Sequence, residues 1–348
     1  MNLRITPDDL RAAVTRGILT EAQSAQLVAI AATRQAAKDK LSPTEEPFVL
    51  FRGFNEIFVV VGLTILFIGW VGVATLLALD SPASTILLSA LTIAGLAAAS
   101  RYFTLTRRMI APSIALSIMT ALSAASLGMS LAGSLGLADV MTAASVVVAL
   151  VMAGHYAIFR VPFAATLIAS ALFFALFGLL EGNGILSAPA FLALGQDMTA
   201  SIVTVLFGLA AFSVAMMLDM SDPMRLSTRS ATAFWLHVVA APAIVNTVAL
   251  NLLEKGTPAA QSLLLAFLLA IAVVAIVIDR RSFLVSGAGY SVVLAATLFD
   301  GGAPLAILLL GVILVLLGSL WDRLRARLMQ ALPDFPGKSN LPPYGTAE

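Results

Sequence analysis

The sequence predicts an all-α, polytopic transmembrane helix bundle of about ten spans, with both termini cytoplasmic. Three observations carry this. Hydrophobic residues make up 60% of the 348-residue chain and charged residues 11%, against roughly a quarter charged in an ordinary soluble domain. A soluble fold of this length has too little interior to hide so much apolar surface. Long apolar runs recur from Ile57 to Leu320, each close to the ~20 residues a helix needs to cross a ~30 Å hydrocarbon core; a β-barrel would show short alternating segments instead. Finally, the basic side chains sort to one side. With spans at 56–79, 82–100, 109–131, 140–159, 162–180, 199–218, 231–253, 259–278, 282–299 and 303–321, all 20 lysines and arginines except Lys255 share the side of the termini. Positive charge stays cytoplasmic, so that side is the cytosol.

Residues 1–40 read as a cytosolic helical hairpin. In ITPDDLRAAVTRG, Thr6 is an N-cap, Pro7 suits the first helical position and Gly17 a terminator. In TEAQSAQLVAIAATR, Thr20 and Gln23 have capping-box spacing ahead of Leu27, Val28 and Ile30. Helices of ten to fifteen residues are marginal alone, so a partly ordered tail is the competing reading. A linker follows at 41–54, and the bundle occupies 55–321. No apolar h-region precedes the first span, so no cleavable signal is expected.

The spans carry aromatic anchors (Tyr102, Tyr156, Trp235 and Trp321) near the inner interface. Small residues cluster at 94–100, 121–136 and 286–291, where they let helix backbones approach closely. The outer loop EGNGILSAPAFLALGQDMT (181–199) has an apolar centre that suits contact with the membrane surface or re-entry. Residues 322–348 read as an amphipathic juxtamembrane helix on anionic inner-leaflet lipids, then a proline-rich tail that is either a docking peptide or a disordered end. In that helix Trp321, Leu324, Leu328 and Leu332 share one side, with three arginines elsewhere.

Polar groups inside spans are few, and lipid makes each costly unless partnered. His237, Pro242 and Asn251 read as one polar seam in AFWLHVVAAPAIVN and its continuation. Pro242 frees the carbonyl of Val238, and Asn251 lies about 40° from His237 on a helical wheel, with Asn246 nearly opposite. A solute or proton path and a hydrogen-bonded, kinked packing element both fit. His155 reads as a snorkelling interfacial residue near Arg160. Glu56, beside Asn55, fits a helix N-terminus or a pair with Arg52, with a coupling carboxylate as the sharper alternative.

The chain has no cysteine, which excludes disulfides and thiolate chemistry. A net charge of +1 gives no argument for nucleic acid. No HExxH, nucleophile elbow, Walker A or dinucleotide motif stands in a fitting context, so no enzyme activity and no cofactor or metal is expected. Met216, Met217, Met220 and Met224 read as gap-fillers.

VTRGILTEAQ (14–23), FRGFNEIFVVVGLTIL (51–66), FWLHVVAAPAIV (234–245), DRRSFLVSGAGY (279–290) and LLLGVILVLLGSLWDRLRARLMQALP (308–333) resemble a group of uncharacterised proteobacterial multi-pass inner-membrane proteins. The resemblance implies an N-terminal cytosolic helical segment on a bundle in the bacterial inner (cytoplasmic) membrane, and brings no site residues. Two functional classes follow. One is a transporter-like bundle for a small solute, with two five-helix halves of inverted orientation. The other is a non-transporting scaffold or regulator that binds cytosolic partners through its termini. Either class leaves room for an oligomer.

Overall fold

The computed structural model describes residues 10, 13–24, 26, 53–78, 81–187, 197–225, 227–298 and 303–344. The chain divides into two compact units, residues 1–45 and 46–348. In the first, residues 13–15 and 21–24 are helical, and Gly17 between them turns the chain at φ +68°, a conformation glycine adopts without steric cost. Thr20 N donates to Gln23 Oε1 at 3.0 Å and Gln23 N to Thr20 Oγ1 at 3.2 Å. This is the reciprocal capping box. Thr6, Pro7 and the apolar run Leu27–Ile30 lie outside the described residues.

Among the described residues the second unit is all helix. Its elements are α1 (Phe54–Ala78), α2 (Pro82–Ser100, continued by a π-helical turn over Arg101–Thr106), α3 (Ile110–Ser134), α4 (Val140–Phe159), α5 (Ala164–Gly182), α6 (Met198–Met220), α7 (Thr228–Lys255), α8 (Pro258–Ile278), α9 (Ser282–Leu298), α10 (Ala303–Ser319) and α11 (Trp321–Ala331). The eight helices α1 to α8 are long and apolar enough to cross a membrane. α9 and α10 have 17 residues each, about 26 Å of helix, at the short end for a span. The chain then bends by 79° between α10 and α11.

Local chemistry sets the boundaries. Asp139 caps α4 by accepting from Thr142 N at 2.9 Å, and Asp197 caps α6 from Thr199 N and Ala200 N. Thr257 caps α8 ahead of Pro258 at its first position, and Gly256 closes α7 at φ +59°. Pro242 lies inside α7, which runs through it without a break.

The helices pack mainly in sequence order: α1 and α2 on α3, then α3 on α4 and α4 on α5. α7 is the central element of the second half, touching α5, α6, α8 and α9. Small residues allow these approaches. A Cβ on Gly128 of α3 would stand 2.6 Å from Ala144 Cα of α4, and one on Gly208 of α6 2.8 Å from Ile244 of α7. Van der Waals contact between backbones replaces the hydrophobic drive that lipid cannot supply.

The outward faces are apolar. On α1, Phe58, Ile65, Leu66, Ile68 and Leu76 are all exposed, as are Leu308, Ile313 and Val315 on α10. Such continuous apolar surface far exceeds what a water-soluble chain exposes. The chain is an integral, multi-pass membrane protein. Of the loop at 181–199, residues 188–196 lie outside the described part.

Candidate functional site

The most elaborate polar arrangement lies where α6, α7, α8, α9 and α11 converge. Asp219, in the last turn of α6, is buried and accepts from three directions. His237 Nε2 of α7 donates to its Oδ2 at 3.0 Å, Arg280 Nε donates to the same oxygen at 2.9 Å, and Arg280 Nη2 donates to Oδ1. Arg280, in the short α8–α9 turn, is wholly buried and reaches the Ser230 carbonyl at 3.3 Å, with its guanidinium 5.9 Å from the Phe234 ring. Phe212 and Phe283 stand edge-on to the His237 imidazole.

A second cluster sits beside it. Asp279 closes α8 at φ +58°. Its Oδ2 pairs with Arg225 Nη1 at 2.9 Å, its backbone carbonyl accepts from Arg225 Nη2 at 2.9 Å, and its Oδ1 accepts from Trp321 Nε1 at 2.6 Å. Arg325 Nε lies 4.0 Å from that same Oδ1 and donates through Nη2 and Nη1 to the carbonyls of Pro342 and Pro343, at 2.7 and 3.1 Å. Charges this deep are tolerated only when paired and hydrogen-bonded. The two carboxylates thus bolt five helices and the C-terminal segment together at one end of the bundle.

This arrangement changes several sequence expectations. Arg225, Arg280 and Arg325 look like solvated basic charges flanking spans, yet each is buried and committed to a carboxylate. Arg325 therefore lies on the inward side of α11 with Trp321 and Met329, and only Arg323 and Arg327 of its three arginines are exposed. Trp321 is a buried donor, not an interfacial anchor. The proline-rich segment is docked on its own chain: Leu341 is buried, Pro342 and Pro343 hold Arg325, and Gly337 at φ +90° passes close beneath Met220.

The predicted seam is divided. His237 and Asn251 both face α6, since Asn251 Nδ2 donates to Ser201 Oγ at 2.9 Å and to the Thr247 carbonyl. Fourteen positions separate them, however, about 21 Å along the helix. Pro242 lines a cavity of about 260 Å³ with Asn246, Thr204 and Phe207, and His237 does not line it. His155 is buried beside Phe159 with Nε2 3.1 Å from Ser117 Oγ, so it packs inward and does not snorkel. Glu56 is buried, and its Oε2 accepts from Ile110 N and Ala111 N at 3.2 and 3.0 Å; it caps α3, not its own helix. Asn55 is exposed, and Arg52 lies outside the described residues.

No family model, curated protein or solved structure matches this chain. Function therefore rests on the site itself. Among the described residues, no three of His, Asp and Glu stand close enough to hold a metal ion.

Sequence reasoning missed Asp219, Asp279 and Arg280. A signal was present. Ile278 and Ser282, the facing ends of α8 and α9, leave only Asp279, Arg280 and Arg281 to turn the chain, too few to carry all three charges clear of the bundle.

Proposed function

We propose that the chain is a non-transporting scaffold of the bacterial cytoplasmic membrane. In this reading the helix bundle is a fixed support that presents the N-terminal helical segment to cytosolic partners. The observation that carries it is the pair of carboxylates, Asp219 and Asp279, that lock α6, α7, α8, α9, α11 and the C-terminal segment at one end. Alternating access needs one bundle to rock against another around a reachable site. Opening this end would expose two buried carboxylates and three guanidiniums at once. His237 is fully buried and engaged, where a carrier would need it open to a solute.

The test is reconstitution of the full chain in liposomes, followed by uptake from a pooled metabolite extract and decay of an imposed pH gradient. Rates equal to protein-free liposomes are expected. Saturable uptake that is lost in His237→Ala would overturn the scaffold reading in favour of transport.

A further inference from the structure

A second polar feature lies away from the carboxylate network. The end of the π-helical turn, the start of α3, the α4–α5 junction and the start of α7 enclose a cleft of about 580 Å³, within the usual range for a small-molecule site. Its walls include Ile114, Phe159, Phe163 and Trp235, and its polar lining includes Arg108 and Arg160. None of its lining residues is acidic. Both arginines are exposed, and among the described residues neither guanidinium has a hydrogen-bond or ion-pair partner. All the contributing loops fall on the arginine-rich side of the bundle, so the cleft sits at the level of the inner-leaflet headgroups.

The backbone supplies a second, independent observation. Arg108 and Arg160 both adopt φ +52°, a left-handed conformation that costs an L-residue with a Cβ about 1–2 kcal/mol. Arg160 occupies the residue after α4 where glycine is the usual choice. A cation there gains from the helix dipole, but only about 0.3–1 kcal/mol at an exposed site. That gain does not offset the strain. Strained backbone kept at two arginines in the mouth of a cleft points to a role in binding.

We infer that the cleft binds one anionic phospholipid of the inner leaflet, with its phosphate held by Arg108 and Arg160 and an acyl chain laid along Phe159, Phe163 and Trp235. Guanidinium groups suit bidentate phosphate contacts, and the apolar wall suits a lipid better than a soluble anion. The inference stands whether the bundle is a scaffold or a carrier.

The test uses the purified full chain with phosphatidylglycerol and phosphatidylcholine vesicle lipids, read by native mass spectrometry, and Arg108→Gly/Arg160→Gly as the variant. Wild type should retain one phosphatidylglycerol in preference to phosphatidylcholine, and the variant should lose that retention by about tenfold or more. In lipid-free neutral detergent the variant should melt at the same temperature or higher, because glycine relieves the strain. Arg229→Gln, outside the cleft, should retain lipid as wild type does. Equal retention in the double variant, equal loss in Arg229→Gln, or a lower melting temperature of the double variant in neutral detergent would each overturn the inference. So would equal stabilisation by glycerol phosphate, which would assign the cleft to a soluble anion.

Discussion

Asp219→Asn probes the buried network with almost no change of shape. The carboxylate accepts three charge-assisted contacts, two from Arg280 and one from His237. At about 1.5–3 kcal/mol per bond to a charged group the gross loss would reach several kcal/mol, but the amide still accepts one bond and pairing is offset by desolvation. Removing one partner of a buried pair costs about 3–5 kcal/mol, mostly because the other charge is left unpaired. Arg280 is that charge, left with Ser230, the Phe234 ring and a neutral amide oxygen in place of the carboxylate. At about 2 cal/mol/K of unfolding entropy per residue, a chain of 348 residues shifts its midpoint by roughly 1–2 °C per kcal/mol, so the loss should be on the order of 5 °C. Fluorescence-detected size-exclusion chromatography after heating in detergent measures it. The second arm is Asp219→Leu/Arg280→Met, which removes both charges and should recover much of the loss. A midpoint within a degree of wild type for Asp219→Asn, or a double variant as unstable as the sum of its singles, would refute the argument.

Three further outcomes follow from single contacts. Arg325→Ala removes the donor to the Pro342 and Pro343 carbonyls, so the C-terminal segment should detach and trypsin should cut after Lys338 at least several-fold faster; an unchanged cleavage rate contradicts the docked tail. Glu56→Ala leaves Ile110 N and Ala111 N without their acceptor and should cost about 1–2 kcal/mol, as loss of a cap does, whereas Glu56→Gln should recover most of it in the same heating assay. The Asp139 carboxyl is held below its ordinary range by the Thr142 hydroxyl and then by the Thr142 backbone N–H. A lowered folded value means this contribution is full above the unfolded value of about 3.9 and disappears as pH falls through the folded one. Thr142→Val should therefore melt below wild type at pH 6, with the gap narrowing on descent to pH 3 as wild type loses this contribution, and a gap independent of pH would contradict the contact.

Much of the fold was legible because lipid imposes one strong rule: each span satisfies its own backbone and shows an apolar surface. Length and hydropathy therefore locate the helices, and short-range chemistry such as Thr20 with Gln23 or Thr257 with Pro258 marks their ends. His237 and Asn251, about 40° apart on a helical wheel, both meet α6. What sequence could not supply is which charge meets which. The pairs Asp219–Arg280 and Arg225–Asp279 join residues 61 and 54 positions apart, and Glu56 finds its donors 54 and 55 positions away. Counting arginines gives sidedness but treats each as solvated. The burial of Arg280 depends on a turn too tight to clear the bundle, which the three-residue gap between the helices signals but a count of charges overlooks. His155 and Trp321 were misplaced for a related reason: amphipathic residues near an interface also serve as buried donors when a neighbouring helix offers an acceptor.

The central claim is that lipid is the solvent for this chain and that the carboxylate network lies at its cytoplasmic end. The absence of cysteine makes single-cysteine accessibility a clean test, using a membrane-impermeant maleimide on intact cells and on inverted vesicles. Lys255→Cys, at the last residue of α7, should label in intact cells. Ser227→Cys, the exposed cap beside the network, should label only in inverted vesicles. Labelling of Ser227→Cys in intact cells, or of Lys255→Cys only in inverted vesicles, would contradict the account.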